Sequence, residues 1–364
     1  MDSAPPPQPR KGRGAVTNPA GRYEPHVREG VDDGWALNDG DSPPRLATVV
    51  TTERARTIIA RNASPDIGFD QSINPYRGCE HGCVYCYARP SHAYLGLSPG
   101  LDFESRLTAK ANAAEALERE LRAPGYRPRP IMLGANTDPY QPVERRHDIT
   151  RRVLEVLAAF RHPVMITTKS ALVTRDLDIL APMAEQRLAS VGISVTTLEP
   201  ELARTLEPRA TRPALRLETI RALSRAGVPV TVLAAPMIPF VTDHDMERIL
   251  TAAREAGAVN AAWILIRLPL EVAPLFRQWL EAHVPDRAER VLARIRECHG
   301  GALYRSTFGE RMTGSGAYAE LLASRFRLAC DRLGLRRREG GDSTLDVSRF
   351  RVPPAPGQQL SLPL

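Results

Sequence analysis

From about residue 46 to residue 300, short apolar, β-rich runs alternate with longer stretches in which apolar residues recur every three or four positions. Runs of that length suit buried strands, and the three-to-four recurrence suits helices laid with one face against them. Strands are expected at 131–135, 164–167, 190–195, 228–234 and 262–268, preceded by an extended segment, GFDQSINPY. Helical patterns fall at 55–63 (ARTIIARNA), 149–160, 214–227 and 245–257. Two of them stop at Ala-Gly, and Thr174 and Asp243 are placed as N-caps. Repeated βα units build a parallel sheet, whose carboxyl-end rim gathers several chain segments around one cavity. Asn136, Thr137, Asp138, Lys169 and Ser194 all fall on that rim, as do Pro236 to Pro239.

The ends read differently. Residues 1–45 carry Pro, Gly and charge with little apolar periodicity, the composition of a disordered basic tail. A helical cap is expected over 301–335 and a flexible tail over 336–364. The 364 residues can bury one large core without disulfides, and 43% apolar with 25% charged is the balance of a soluble globular chain. No run of about 18 apolar residues could span a bilayer, and the start MDSAPPPQPRKGRG has no apolar signal core. A cytoplasmic protein with no membrane partner is the expectation. A formal charge of +7 makes a polyanionic partner plausible.

Five cysteines are too few and too unevenly spread for a disulfide framework. Three of them, Cys79, Cys83 and Cys86, crowd into eight residues, whereas Cys298 and Cys330 stand apart on helical patterns and read as small buried hydrophobes. The spacing C-x3-C-x2-C supplies three thiolates from one loop, with Gly78 and Gly82 giving it freedom to fold. A cubane cluster ordinarily takes four thiolates, so three leave one iron open to an exogenous chelator. A closed zinc site of the three thiolates with His81 or His92 is the competing reading of the same residues.

With Tyr85 ahead of the third cysteine, the loop resembles the C-x3-C-x-aromatic-C signature of the radical S-adenosylmethionine (radical SAM) superfamily. The segments NPYRGCEHGCVYCYARP, LGANTDPYQPVE and MITTKS are similar to the branch that contains spore photoproduct lyase, over roughly residues 65–335. The resemblance implies an α/β fold, a partial (βα)6-type radical SAM barrel occupying 46–300, with flexible tails. It implies a [4Fe-4S] cluster on Cys79, Cys83 and Cys86, S-adenosyl-L-methionine as the second cofactor, and a low-potential electron donor such as flavodoxin or ferredoxin. Tyr85 is then expected against the adenine, and Asn136, Thr137, Asp138, Lys169 and Ser194 near the ribose, the amino-acid portion or the substrate. Arg209, in LEPRATRP, is a further cofactor candidate, and Tyr87 matches a tyrosine thought to relay a hydrogen atom.

A DNA substrate follows from the same branch; a protein, RNA or metabolite substrate and a non-catalytic metal-binding adaptor are the alternatives. One departure matters. Spore photoproduct lyase presents a hydrogen-donating cysteine where this chain has Ala135 or Asn136, so its own route is not expected unless Cys298 or Cys330 folds back into the cavity. Finally, Gln359, Leu360, Ser361, Leu362 and Leu364, at the end of the chain, resemble the peptide by which repair factors and polymerases dock on the bacterial sliding clamp.

Overall fold

The computed structural model describes residues 8–24, 45–337 and 344–354. Eleven strands occur among them: β1 (Val49–Glu53), β2 (Ile59–Arg61), β3 (Gln71–Ile73), β4 (Tyr76–Arg77), β5 (Arg106–Lys110), β6 (Ile131–Leu133), β7 (Val164–Thr168), β8 (Ala189–Ser194), β9 (Val230–Met237), β10 (Asn260–Leu265) and β11 (Arg336–Arg337). Eight form one sheet in the order β2-β3-β6-β7-β8-β9-β10-β11. All its pairings are parallel except that of β2 with β3, and its six consecutive strands β3 to β10 are those of a partial (βα)6 barrel. A smaller sheet, β1-β5-β4, lies beside the cysteine loop.

The helices are α1 (Leu101–Ser105), α2 (Ala113–Leu121), α3 (Glu144–His147), α4 (Ile149–Ala159), α5 (Leu177–Glu185), α6 (Pro200–Leu206), α7 (Pro213–Arg225), α8 (Met246–Glu255), α9 (Val272–His283), α10 (Ala288–Cys298) and α11 (Ala317–Leu333). The main core joins the sheet to the crossover helices, with Ile166, Val191 and Val232 against residues such as Val153, Ile220 and Ile249. All six residues of β8 are buried, as a central parallel strand covered on both faces requires. A second core holds Val84 and Tyr85 of the cysteine loop against Phe276 and Trp279 of α9 and Leu292 of α10. Among the described residues, no helix is long and apolar enough to cross a membrane.

Three expectations about local structure need correction. Residues 55–63 are not helical: they contain β2, which pairs antiparallel with β3. Two adjacent isoleucines fit either period, and the backbone amides of Ile58 and Ile59 are claimed by the Glu120 carboxylate instead of a helix. Thr174 caps nothing: its hydroxyl donates to Ala171 O inside a short 3-10 turn, and Ser170 accepts the amide of Leu172 at the start of that turn. Asp243 likewise opens a 3-10 turn ahead of α8 and accepts the Tyr318 hydroxyl.

The described parts of both ends are also more ordered than their composition suggests. Arg13, Gly14, Ala15 and Val16 are buried. In the expected tail, Arg336–Arg337 adds an edge strand, and Phe350 lies between Tyr126, Phe160 and His162 with ring centroids 5.6, 6.3 and 5.5 Å away. One aromatic anchor and a few polar contacts hold these segments, and neither produces a period for sequence analysis to detect. The expected cap at 301–335 contributes α11, which rests on α8 and α10. It is α9 and α10, inside the expected barrel limits, that cover the cysteine loop.

Candidate active site

Directly after β4 the chain turns through Gly78 and Gly82, both with left-handed φ of 73° and 67°, and winds the three cysteines into one tight loop. Its frame is backbone: Cys79 N–H donates to Phe103 O (2.9 Å), Gly82 N–H to Cys79 O (3.2 Å), Val84 N–H to Leu206 O (3.1 Å) and Cys86 N–H to Cys83 O (3.2 Å). A side chain on Gly82 would start 2.6 Å from a carboxylate oxygen of Glu104, so only glycine serves there. Cys79 and Cys83 are buried, Cys86 is half-buried, and all three are free thiols.

Burial pushes all three thiols up. At Cys79 the charges of Asp138, Cys83 and Cys86 add to that effect, which places the three sulfurs within electrostatic reach of one another. At Cys83 the nearby Glu207 also raises the thiol, and Lys169 and Arg216 offset part of it. Three thiolates in this setting require a cation among them.

The rim residues divide by task. Asp138, after β6, accepts the Thr168 hydroxyl (2.7 Å), the amides of Tyr140 (2.9 Å) and Lys169 (2.8 Å), and an ion pair from His81 Nδ1 (3.3 Å). Burial works against its charge, but His81 and these donors outweigh it and hold the carboxyl below its ordinary range. Thr137 is buried, its hydroxyl donating to Tyr76 O (3.0 Å), and the amides of Asn136 and Thr137 both reach Asn74 Oδ1 (2.8 and 3.3 Å). Asn136, Thr137 and Asp138 thus tie the β6 rim to the cysteine loop and to β7. Ser194 is buried at the end of β8, where its carbonyl accepts Arg216 Nη1 (2.9 Å).

Lys169 projects toward a buried polar centre that sequence reasoning missed. Glu207, just past α6, receives Arg216 Nη2, the Tyr85 hydroxyl, the Thr196 hydroxyl (2.6 Å) and Lys169 Nζ at 3.8 Å. The Lys169 ammonium also lies 5.9 Å from the centroid of the Tyr85 ring. Burial alone would raise the Glu207 carboxyl, but Arg216, Lys169 and the two hydroxyls hold it down to about 2. The one available signal was the motif LEPRATRP itself, which contains Glu207 alongside Arg209. Arg216, one helical turn into α7, carries no mark in a sequence.

Arg209 is turned the other way: its guanidinium pairs with Glu80 at 2.7 Å and its amide donates to His81 O. Tyr87 is 44% exposed; its hydroxyl donates to Ala135 O and its ring lies 4.3 Å from the Arg267 guanidinium. His92 is buried on Phe103, with Nε2 at 2.9 Å from Arg106 O. Cys298 and Cys330 belong to the main core between α10, α11 and the sheet, so neither thiol enters the rim.

The sequence profile of the Radical SAM superfamily matches residues 73–253, a span that runs from the end of β3 through the cysteine loop and four of the crossovers. The protein Rv2578c of Mycobacterium tuberculosis is 37% identical over 270 residues, covering 72% of this chain and 76% of its own. The chain belongs to the radical SAM superfamily. MJ0683 of Methanocaldococcus jannaschii is 25% identical over 217 residues, 60% of this chain and 77% of that one. Among solved structures, a spore photoproduct lyase variant superposes with a TM-score of 0.57 at 14% identity, over 83% of this chain and 86% of that chain, a likeness of fold.

Radical SAM proteins use S-adenosylmethionine and an iron–sulfur cluster, and the loop fits such a group. Its donor set is three free thiols in one loop; of the two neighbouring histidines, His81 Nδ1 pairs with Asp138 and His92 Nε2 lies against Arg106 O, while His92 Nδ1 is buried without a hydrogen-bond partner among the described residues. A thiolate-ligated iron core supplies the cation that three buried thiolates need. Cys79, Cys83 and Cys86 would hold it, and the charges of Glu207 and Lys169 act on the Cys83 thiol in opposite senses.

Proposed function

We propose that this radical SAM enzyme holds a [4Fe-4S] cluster on Cys79, Cys83 and Cys86, binds S-adenosylmethionine at the iron those residues leave open, and abstracts hydrogen from a nucleic acid. When bound and reduced, the cluster supplies the electron that cleaves the sulfonium to a 5'-deoxyadenosyl radical. The observation that carries the reading is the set of three free thiols in one loop at the carboxyl rim of a partial barrel, beside the Lys169–Glu207–Arg216 centre.

The remaining steps fall to the chain's own residues. Lys169 offers the charge that a carboxylate of the amino-acid portion would engage, and Glu207 keeps that ammonium in place at 3.8 Å. Asp138, held ionised by His81 and the backbone, fixes the β6 rim to the start of the Lys169 loop. Tyr85 forms one wall through its buried ring. Tyr87, half-exposed and stacked under Arg267, is the hydrogen-relaying candidate and a platform on which a base could stack.

A nucleic-acid substrate is supported by the +7 charge and by the shared fold with spore photoproduct lyase, a protein solved with a dinucleoside spore photoproduct bound (TM-score 0.57). Ala135 and Asn136 carry no thiol and Cys298 and Cys330 lie in the core, so a cysteine-quenched route is not proposed. The proposed partners are a low-potential electron donor and a sliding clamp reached through residues 359–364. Those residues lie outside the described ones, and a clamp pull-down with and without them tests that docking.

Anaerobic reconstitution tests the reading. We expect about four irons per chain, S-adenosylmethionine cleavage on reduction, loss of both in Cys83→Ala, and deuterium passing from a labelled oligonucleotide into 5'-deoxyadenosine. A colourless protein that holds zinc and rejects iron sinks the enzyme reading. Cleavage without label transfer from any oligonucleotide, and without salt-dependent retention on a polyanion, removes the nucleic acid alone.

A further inference from the structure

The superfamily profile begins at residue 73, so it assigns nothing to the segment at residues 10–18. Composition alone makes that segment a tail, yet the structure builds it into the cysteine loop. We propose that residues 13–18 form a fixed wall of the cluster site, and that Arg13, Gly14 and Glu104 are positioning residues for the loop that carries the three cysteines. The inference rests on the cluster reading above and deepens it.

Glu104, fully buried at the end of α1, is the junction. Its Oε1 accepts Arg89 Nη2 (2.5 Å) and the amide of Ala15 (2.8 Å), and its Oε2 accepts the amide of Gly14 (3.0 Å). Arg89, also fully buried, spends its other donors on backbone: Nη2 on Gly82 O (3.1 Å), Nε on Cys83 O (2.9 Å), and Nη1 on Pro99 O (3.1 Å) and Gly100 O (2.9 Å). With the bond to Glu104, all five guanidinium hydrogens are used, and two of them fix carbonyls of the cysteine loop.

The N-terminal segment closes the far side. Arg13 Nη1 donates to Glu104 O (2.7 Å), and its Nη2 to Leu46 O (2.6 Å) and the Thr48 hydroxyl (2.9 Å). Thr48 passes the contact on to Glu80 Oε1 (2.7 Å), inside the loop. Gly14 lies so close to the loop that a Cβ there would meet Gly82 O at 1.9 Å. Farther along, Leu101 N–H donates to Thr17 O (3.3 Å), and Asn18 exchanges two hydrogen bonds with Asp102 (2.9 and 3.0 Å). A buried carboxylate and a buried guanidinium, each fully occupied, tolerate little displacement, because any lost bond leaves a charge short of a partner in the interior. The segment therefore fixes where Gly82 and Cys83 sit.

Full-length Gly14→Ala and Arg13→Gln test this, with Lys11→Ala, an exposed neighbour, as control. We expect both variants to raise amide exchange across residues 79–86 of the metal-free protein by about tenfold, with strands β7 to β9 unchanged. We expect reconstituted iron to fall about twofold and the cluster to bleach in air about tenfold faster, with Lys11→Ala like the parent. Arg13→Gln leaves the Gly14 contact intact, so unfolding of Gly14→Ala does not shield the proposal. Parental exchange across 79–86 and parental bleaching in Arg13→Gln overturn it. If the parent takes up no iron, the cluster reading fails, while the exchange data still decide whether the segment holds the loop.

Discussion

His162 is fully buried, with Nδ1 on Pro163 O (3.0 Å) and Nε2 on the Tyr126 hydroxyl (2.8 Å), and burial lowers it from 6.5 to about 4. Between those values the unfolded chain takes up a proton that the folded chain refuses. Stability is therefore complete above about pH 6.5 and drains as pH falls toward 4, by up to roughly 3 kcal/mol. Denaturant curves at pH 7.5 and 4.5 should show that loss, and His162→Gln should flatten it; equal slopes in both proteins refute the assignment. At the site, Lys169→Met is expected to weaken S-adenosylmethionine binding about tenfold, ~1.4 kcal/mol, measured by calorimetry on the reconstituted protein. Tyr87→Phe should keep S-adenosylmethionine cleavage but slow substrate turnover, because among the described residues its hydroxyl bonds Ala135 O and no part of the cysteine loop. The thiols and rim polar residues were legible in sequence because their identities are unusual. Glu207 and Arg216 were not, since a buried ion pair looks like two surface charges until the chain is folded.

Helices α7 and α8 end alike, at Ala226-Gly227 and Ala256-Gly257, with left-handed φ at 77° and 104°. Their surroundings differ: a Cβ at Gly227 meets open space, whereas one at Gly257 would sit 2.3 Å from Ser224 Oγ. Gly227→Ala should cost about 1 kcal/mol from backbone strain alone, and Gly257→Ala about 2–3 kcal/mol. Thermal unfolding checks the order, and Ser224→Ala should recover only part of the difference, because the Ser224 Cβ would still lie 2.7 Å from the new methyl. Helix stops of this kind are local chemistry and read well in sequence. Residues 55–63 did not, because two isoleucines cannot distinguish a period of 3.6 from a period of 2, and pairing with β3 decided the outcome.

At the scale of the molecule, the sheet is open: β2 and β11 form its two edges. Arg311, in the loop whose Met312 O accepts the amide of Leu265 at the end of β10, makes two bonds to Asp66 (2.7 and 2.6 Å) in the turn between β2 and β3. The pair fastens one side of the opening to the other, and both side chains are largely shielded from water. A double-mutant cycle on Arg311→Ala and Asp66→Ala should give a coupling of about 1–2 kcal/mol, with faster proteolysis of residues 300–316 in either single variant. A coupling near zero would reduce the contact to an ordinary surface pair.

The sequence by itself determined the alternation of strands and helices, the rim on which polar residues gather, and the three-thiol loop. Each depends on residues near one another in the chain, where period and spacing act directly. Only the tertiary structure decided that Glu207 and Arg216 meet Lys169 and Tyr85, that Phe350 anchors the C-terminal segment, and that Arg13 and Gly14 wall the cysteine loop. Those contacts join segments far apart in sequence, and burial, which no local pattern of these polar residues announces, is what makes them strong.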